Sequence, residues 1–146
     1  MKAIVKTQLD IPVKEAWELV KQSSTLVYVC KGLLGFEGSH RFPKKWREGD
    51  VISTRLKLFG VLPAWKHSLR FISISEESNV IYTEEKGGIV RCWNHEIKFE
   101  AKNEFSCLYT DTVEIKAGLF TPIVWLFAKV LYKYRQNRWN YLIQKV

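Results

Sequence analysis

At 146 residues, 47% of them hydrophobic and 26% charged, the chain is too apolar to remain disordered and long enough to bury a substantial core, so it reads as one globular domain spanning 1–146. Its 23 Lys and Arg against 15 Asp and Glu give a formal charge of +8. The three cysteines, Cys30, Cys92 and Cys107, stand far apart in no pair-spaced motif, which excludes a disulfide framework and predicts reduced thiols in a cytoplasmic protein. The opening residues alternate rather than forming an apolar leader, and the longest apolar run, Leu119 to Leu131, is broken by Thr121, Pro122 and Lys129, short of the ~20 residues that a membrane span requires.

Residues 2–10 place Ala3, Val5, Thr7 and Leu9 on one side and Lys2, Ile4, Lys6 and Gln8 on the other, which predicts a strand with one buried face. Pro12 suits a first helical turn, Glu15 sits where the helix dipole favours negative charge, and Val13, Ala16, Trp17 and Val20 form an apolar stripe. Ser23, Ser24 and Thr25 end that helix and cap a short second one through Tyr28. Gly32, Gly35 and Gly38 mark a turn-rich passage, and Gly49-Asp50 a hairpin turn.

Strands are predicted at Val51–Phe59, Trp65–Ser75, Val80–Lys86, Ile89–Ala101 and Phe105–Ala117. The breaks between them, Gly60 to Pro63, Glu76 to Asn79, Gly87-Gly88 and Lys102 to Glu104, suit antiparallel hairpins. The last two strands exceed the usual length of about five or six residues, so the sheet has to be curved or bulged. A final helix runs from Thr121 as cap, with Pro122 in its first turn, to about Gln144. The order predicts an α+β fold: a curved antiparallel β-sheet wrapped around a long C-terminal α-helix, with two short helices after the first strand.

This pattern resembles the helix-grip fold of the START-like, SRPBCC superfamily, which includes the birch-pollen-allergen (Bet v) proteins, lipid-transfer domains and polyketide cyclases. More narrowly, Gly60-Val61-Leu62-Pro63-Ala64-Trp65-Lys66-His67, the strand Asp111-Thr112-Val113-Glu114 and the pair Tyr134-Arg135 resemble the stand-alone bacterial ligand-binding members. The resemblance covers essentially the whole chain. It implies a carrier or sensor of a small hydrophobic or amphipathic ligand, such as a lipid or polyketide-like metabolite, held between sheet and C-terminal helix without metal or cofactor. The cyclase relatives imply an alternative, a cyclase or dehydratase in which cavity His, Asp and Tyr act as general acid and base.

Alternation assigns the inward side chains. On Ile89–Ala101 these are Ile89, Arg91, Trp93, His95, Ile97 and Phe99, and on Phe105–Ala117 they are Phe105, Cys107, Tyr109, Asp111, Val113 and Ile115. On Trp65–Ser75 they are Trp65, His67, Leu69 and Phe71, while Ile72 and Ile74 on the opposite parity predict a bulge. Trp65, Leu69, Trp93, Phe99 and Phe127 would supply ligand contact area, His67, Arg91, His95, Tyr109 and Asp111 a polar end, and Tyr134 would help close the pocket. Each inward histidine has a plainer alternative as a satisfied core residue. No residue is assigned as catalytic. A buried Asp111 must be paired, hydrogen-bonded or protonated, and an Asp111–Arg135 ion pair is the leading candidate, with Arg91 or a histidine as other partners.

On the last helix, Phe120, Ile123, Val124, Phe127, Val130, Leu131, Tyr134 and Arg138 form a stripe of core-facing width. A second stripe, Trp125, Tyr132, Trp139 and Ile143, lies well off the first with Arg135 between. It needs a cover: the early helices, a second copy in a homodimer, or a lipid surface attracted by Lys129, Lys133, Arg135 and Arg138. The +8 charge invites a nucleic-acid reading, but the cations are scattered and the only tight cluster, Lys44-Lys45-Trp46-Arg47, reads as a solvated loop. The histidines and cysteines have no zinc-ligand spacing, Gly87-Gly88 leads into a strand rather than a phosphate-binding helix, and no serine sits in a nucleophile elbow.

Overall fold

The dominant two-residue alternation builds a seven-stranded antiparallel sheet, and the computed structural model describes it across residues 1–146. In chain order the elements are β1 (Lys2–Leu9), α1 (Val13–Val20), α2 (Ser23–Cys30), β2 (Leu34–Phe36), β3 (Val51–Leu58), β4 (Leu62–Ser75), β5 (Val80–Gly87), β6 (Val90–Ala101), β7 (Cys107–Lys116) and α3 (Thr121–Ile143). The strand order is β1-β7-β6-β5-β4-β3-β2, so consecutive strands from β2 to β7 are neighbours and β1 closes the far edge beside β7. The sheet curls into a half-barrel around α3, the α+β helix-grip arrangement.

Curvature comes from three register shifts. Two lie on β4, where an extra residue is accommodated opposite Arg55–Lys57 and another between Phe71 and Ser73. The second is the bulge expected from the parity change at Ile72. A third lies on β6, where Gly87 pairs with Val90 but Glu85 pairs with Trp93, leaving Arg91 and Cys92 opposite a single residue of β5. This bulge overturns the inward placement of Arg91: Val90 and Trp93 are both buried, and Arg91 is exposed. Phe105 is likewise 74% exposed, because β7 begins only at Cys107.

Two element boundaries also differ from expectation. Three-residue β2, among glycines, is too short to show any period, yet it pairs in register with the end of β3. β4 starts earlier, at Leu62, and tolerates Pro63 because β5 joins it only from His67 onward, so the missing N–H faces no ladder there. Gly87 is required at the close of β5: an added Cβ would collide with the Lys66 carbonyl oxygen and come within 2.7 Å of Trp65 Cδ1.

The face that α3 turns inward coincides only in part with the expected stripe: Ile123, Val124, Phe127 and Leu131 border the cavity, but the buried core of the helix lies further round. Ala128, Leu131, Tyr132, Arg135, Gln136 and Trp139 are buried, whereas Phe120, Ile123 and Val130 are exposed. The stripe proposed as an interface is therefore covered within the chain. Trp139, 1% exposed, packs edge-on against Phe99 and Tyr109 at centroid distances of 5.7 and 5.6 Å, and Tyr132 accepts a 2.8 Å hydrogen bond from Trp93 Nε1. Trp125 donates its indole N–H to the Lys2 carbonyl at 2.8 Å, and Lys129 donates to that of Ile4 at 3.1 Å. α3 thus satisfies carbonyls on an edge strand that would otherwise be open to pairing. The apolar residues of α3 lie on nearly all sides of its first turns, so helical period alone does not choose a face.

Replacing Trp139 by Ala removes one of the largest buried side chains and is expected to cost about 3–5 kcal/mol of stability, read as a lowered urea midpoint at an unchanged elution volume in size-exclusion chromatography.

Candidate functional site

Between the concave sheet and α3 lies a cavity of about 370 Å³ lined by 32 residues, 25 of them hydrophobic. Of the side chains selected from the sequence, Trp65, His67, Leu69, Trp93, His95 and Phe127 line it. Phe99, Tyr109 and Asp111 are buried one layer behind; the Phe99 and Tyr109 rings stack at 4.8 Å with 11° between their planes. Tyr134 stands apart, donating its hydroxyl to the Lys31 carbonyl and so tying α3 to the end of α2. The lining also includes Thr83, Glu85, Tyr132 and Arg135, which sequence reasoning did not place there. The same alternation applied to β5 would have found two of them, since Ile81, Thr83 and Glu85 share one parity.

The polar groups form a chain through the cavity wall. His67 Nε2 lies 2.9 Å from Glu85 Oε1, Thr83 donates to Glu85 Oε2 at 3.0 Å, and His95 Nδ1 lies 3.8 Å from that same oxygen. On its other side, His95 Nε2 is 2.7 Å from Asp111 Oδ1. Tyr109 donates to Asp111 Oδ1 at 3.0 Å, and Gln136 Nε2 donates both to Asp111 Oδ2 at 3.0 Å and to the Val5 carbonyl at 2.8 Å. Asp111, with a side chain 0% exposed, therefore meets three donor groups from β6, β7 and α3.

The expected Asp111–Arg135 ion pair is not formed, because Gln136 is the α3 residue that faces Asp111 and Arg135 points one helical step away, about 100° around the axis. Arg135 is 8% exposed, has no carboxylate within 4.0 Å and leaves its Nε without a hydrogen-bond partner. Its nearest organised contact is the Tyr132 ring, whose centroid is 5.1 Å from the guanidinium carbon. Trp65 Nε1 is a second buried donor without a partner.

Burial pushes the pKa of Glu85 upward, but the hydrogen bond from His67 and the charges of His67 and His95 outweigh it and hold the carboxyl below its ordinary 4.5. Burial raises the Tyr109 and Tyr132 hydroxyls well above their ordinary range. It also raises the Cys30 thiol, and takes that of Cys107 up to about 11, so both stay protonated at neutral pH. Burial works against the Arg135 charge, yet the neighbouring Cys30, Tyr109, Asp111 and Tyr132 raise its pKa further above the ordinary value. No group of three His, Cys, Asp or Glu side chains is arranged to hold a metal ion.

A family model described as a domain of unknown function, DUF8410, matches residues 34–142. The chain belongs to that family. Solved structures show what the DUF8410 chain is similar to in fold. Norcoclaurine synthase from Thalictrum flavum aligns at a TM-score of 0.72 and 14% identity, covering 99% of this chain and 87% of that one. A START superfamily protein from Mycobacterium smegmatis gives 0.72 at 11% identity, with 99% and 97% covered. The major latex-like protein 151 of Panax ginseng gives 0.69 at 12% identity, with 96% and 95% covered. A search of the curated proteins finds no match. The DUF8410 protein therefore has a START/SRPBCC-like fold, and no helix in it is long and apolar enough to cross a membrane.

Because the folded pKa of Glu85 lies below the unfolded value, its stabilisation is fully present above about pH 4.5 and is lost as pH falls through the folded pKa. Glu85→Gln is expected to lower the urea midpoint at neutral pH. The gap to wild type should close as pH falls through the folded pKa, below 4.5, where the carboxyl becomes protonated in both states.

Proposed function

We propose that the DUF8410 protein is a carrier or sensor that binds a small hydrophobic or amphipathic molecule, lipid-like or polyketide-like, in the cavity between the sheet and α3. The observation that carries this reading is the lining itself: a large apolar concavity interrupted by a few clustered polar groups is the usual form of a small-molecule site. The Thalictrum flavum synthase was solved in complex with dopamine and hydroxybenzaldehyde, which supports small-molecule binding by a protein of similar fold. Trp65, Leu69, Trp93 and Phe127 would supply contact area, and His67 and His95 the edge of the polar region. Three unpaired cysteines suit a reducing compartment such as the cytoplasm.

The side chains that a cyclase or dehydratase would use are largely engaged with one another. His67 is held by Glu85, and His95 is held between Glu85 and Asp111, which also takes the Tyr109 hydroxyl. A general acid or base needs a free site within hydrogen-bond reach of the reacting atom; His67 Nδ1 alone among these ring and carboxylate groups is a buried atom without a partner, and the pairing of the others favours binding over acid–base chemistry.

A neutral apolar fluorophore, phenylnaphthylamine, is expected to bind at one site per chain with enhanced emission and energy transfer from the cavity tryptophans. Ile52→Trp, which fills the cavity from β3, should weaken binding by about tenfold while leaving the circular dichroism unchanged; no saturable binding by wild type would remove the pocket reading.

A further inference from the structure

A guanidinium buried without a carboxylate partner costs several kcal/mol in desolvation. Arg135 has only the Tyr132 ring and the field of nearby groups such as Asp111 to offset that cost. It lines an apolar cavity, no carboxylate reaches it, and its Nε has no acceptor. The one acidic group in the lining, Glu85, has its oxygens taken by His67 and Thr83. Asp111, behind the wall, is saturated by His95, Tyr109 and Gln136. Trp65 Nε1 adds a second buried donor, and an indole N–H can only donate. The cavity thus offers donors and one fixed positive charge, while its carboxylates are already occupied.

The geometry points to an anionic head group, a carboxylate or an acidic ester, as the polar end of the ligand, paired with Arg135 while its apolar body fills the cavity. This rests on the pocket reading above. A planar fork of donors fits a carboxylate in two-point fashion, and such charge-assisted bonds are about twice as strong as neutral ones.

The test uses two fluorophores of one skeleton, anilinonaphthalene sulfonate and uncharged phenylnaphthylamine, with decanoate and decanol as competitors. Wild type should prefer the sulfonate over the amine, and decanoate over decanol, by about tenfold or more. Arg135→Met should bring that ratio to about one while leaving the neutral probe within about twofold, and Arg135→Lys should keep part of it. Arg135→Met should also raise the Tm of the ligand-free protein, since it removes a charge with no counter-ion; a structural ion pair would do the opposite. Equal wild-type affinity for both probes, or a lowered Tm in Arg135→Met, overturns the anion assignment and leaves the pocket standing. Absence of binding by either probe removes the pocket and this inference with it.

A separate observation concerns the cavity mouth. The antiparallel order brings the β3–β4 turn, the β5–β6 turn and the β7–α3 connection to one end of the molecule, where the lining residues Ile89 and Ile123 are also exposed. Phe59, Val61, Ile89, Leu119, Phe120 and Ile123 form an exposed apolar fringe there, Leu119 being 97% exposed. The segments at this end, 1–4, 55–66, 86–93 and 115–126, hold seven Lys and Arg and no Asp or Glu. Only Arg55 has a carboxylate within reach, that of Glu37 at 3.8 Å; bordering these segments, Glu114 stands across the strands from Lys2 and the cavity-lining Glu85 across from Trp93. Apolar side chains ringed by cations, most of them without a carboxylate partner, match an anionic bilayer surface.

We infer that this end docks onto anionic membranes, placing the mouth against the lipid. Flotation with vesicles of phosphatidylserine and phosphatidylcholine should recover the protein, and vesicles of phosphatidylcholine alone should not. Leu119→Ser with Phe59→Ser should abolish recovery, and Lys86→Glu or Arg91→Glu should each reduce it by about fivefold or more. Failure to float with the anionic vesicles, variants that float as wild type does, or a dimer that loses its contact in Leu119→Ser would each overturn the assignment.

Discussion

A carboxylate withdrawn from water has to be met by donors, and the meeting at Asp111 organises this fold. Its oxygens receive Tyr109 from the same strand and Gln136 from α3, and share a hydrogen bond with His95 from the neighbouring strand. Gln136 bonds the β1 carbonyl of Val5 with the same nitrogen, so one amide fixes the helix against two strands. The apolar stack of Phe99, Tyr109 and Trp139 seals this node from the solvent side of the core. Hydrophobic burial makes α3 adhere to the sheet, but it is non-directional; the Asp111 node and the Trp125 and Lys129 bonds to the edge of β1 set the rotation and the position along the axis.

That rotation determines what the cavity contains. With Gln136 turned to Asp111, the neighbouring positions follow, and Arg135 faces the cavity side rather than the carboxylate. The curvature of the sheet, produced by bulges on β4 and β6, keeps the inner face from packing flush against the helix and leaves the space between them. The polar chain then divides. Its inner part, from His67 Nε2 through Glu85 and His95 to Asp111, is paired within the wall, while Arg135 Nε, Trp65 Nε1 and His67 Nδ1 are left without partners.

Much of this was legible in the residues, and what was not has definite causes. Alternation located the five long strands and the inward Trp65, His67, Leu69, Trp93 and His95, because a strand with one buried face leaves no choice of parity. It failed at Arg91, where a bulge of one residue inverts every inference made from the strand's far end. The helix was harder. Apolar residues on several sides of α3 left two stripes in contention, and the buried one contains Arg135 and Gln136, which a hydrophobicity pattern reads as surface. Of the partners expected for Asp111, the histidine is present as His95, whereas Arg135 is displaced by Gln136, a difference of one position that leaves the arginine charge open.

The charge distribution shows the same limit in another form. Along the chain the cations look dispersed, since seven of them are split among four segments separated by tens of residues. Antiparallel pairing returns those segments to a single end, while acidic residues such as Glu76, Glu77, Glu100 and Glu104 fall at the opposite turns and strand ends. Sequence distance hides such segregation because a hairpin reverses direction at every turn, so that charge at one end of the molecule is sampled only once per pair of strands. A fixed cation inside the cavity and a cationic fringe outside it act in the same direction on an anionic amphiphile: the fringe raises its local concentration at the mouth, and Arg135 supplies the differential affinity that retains it.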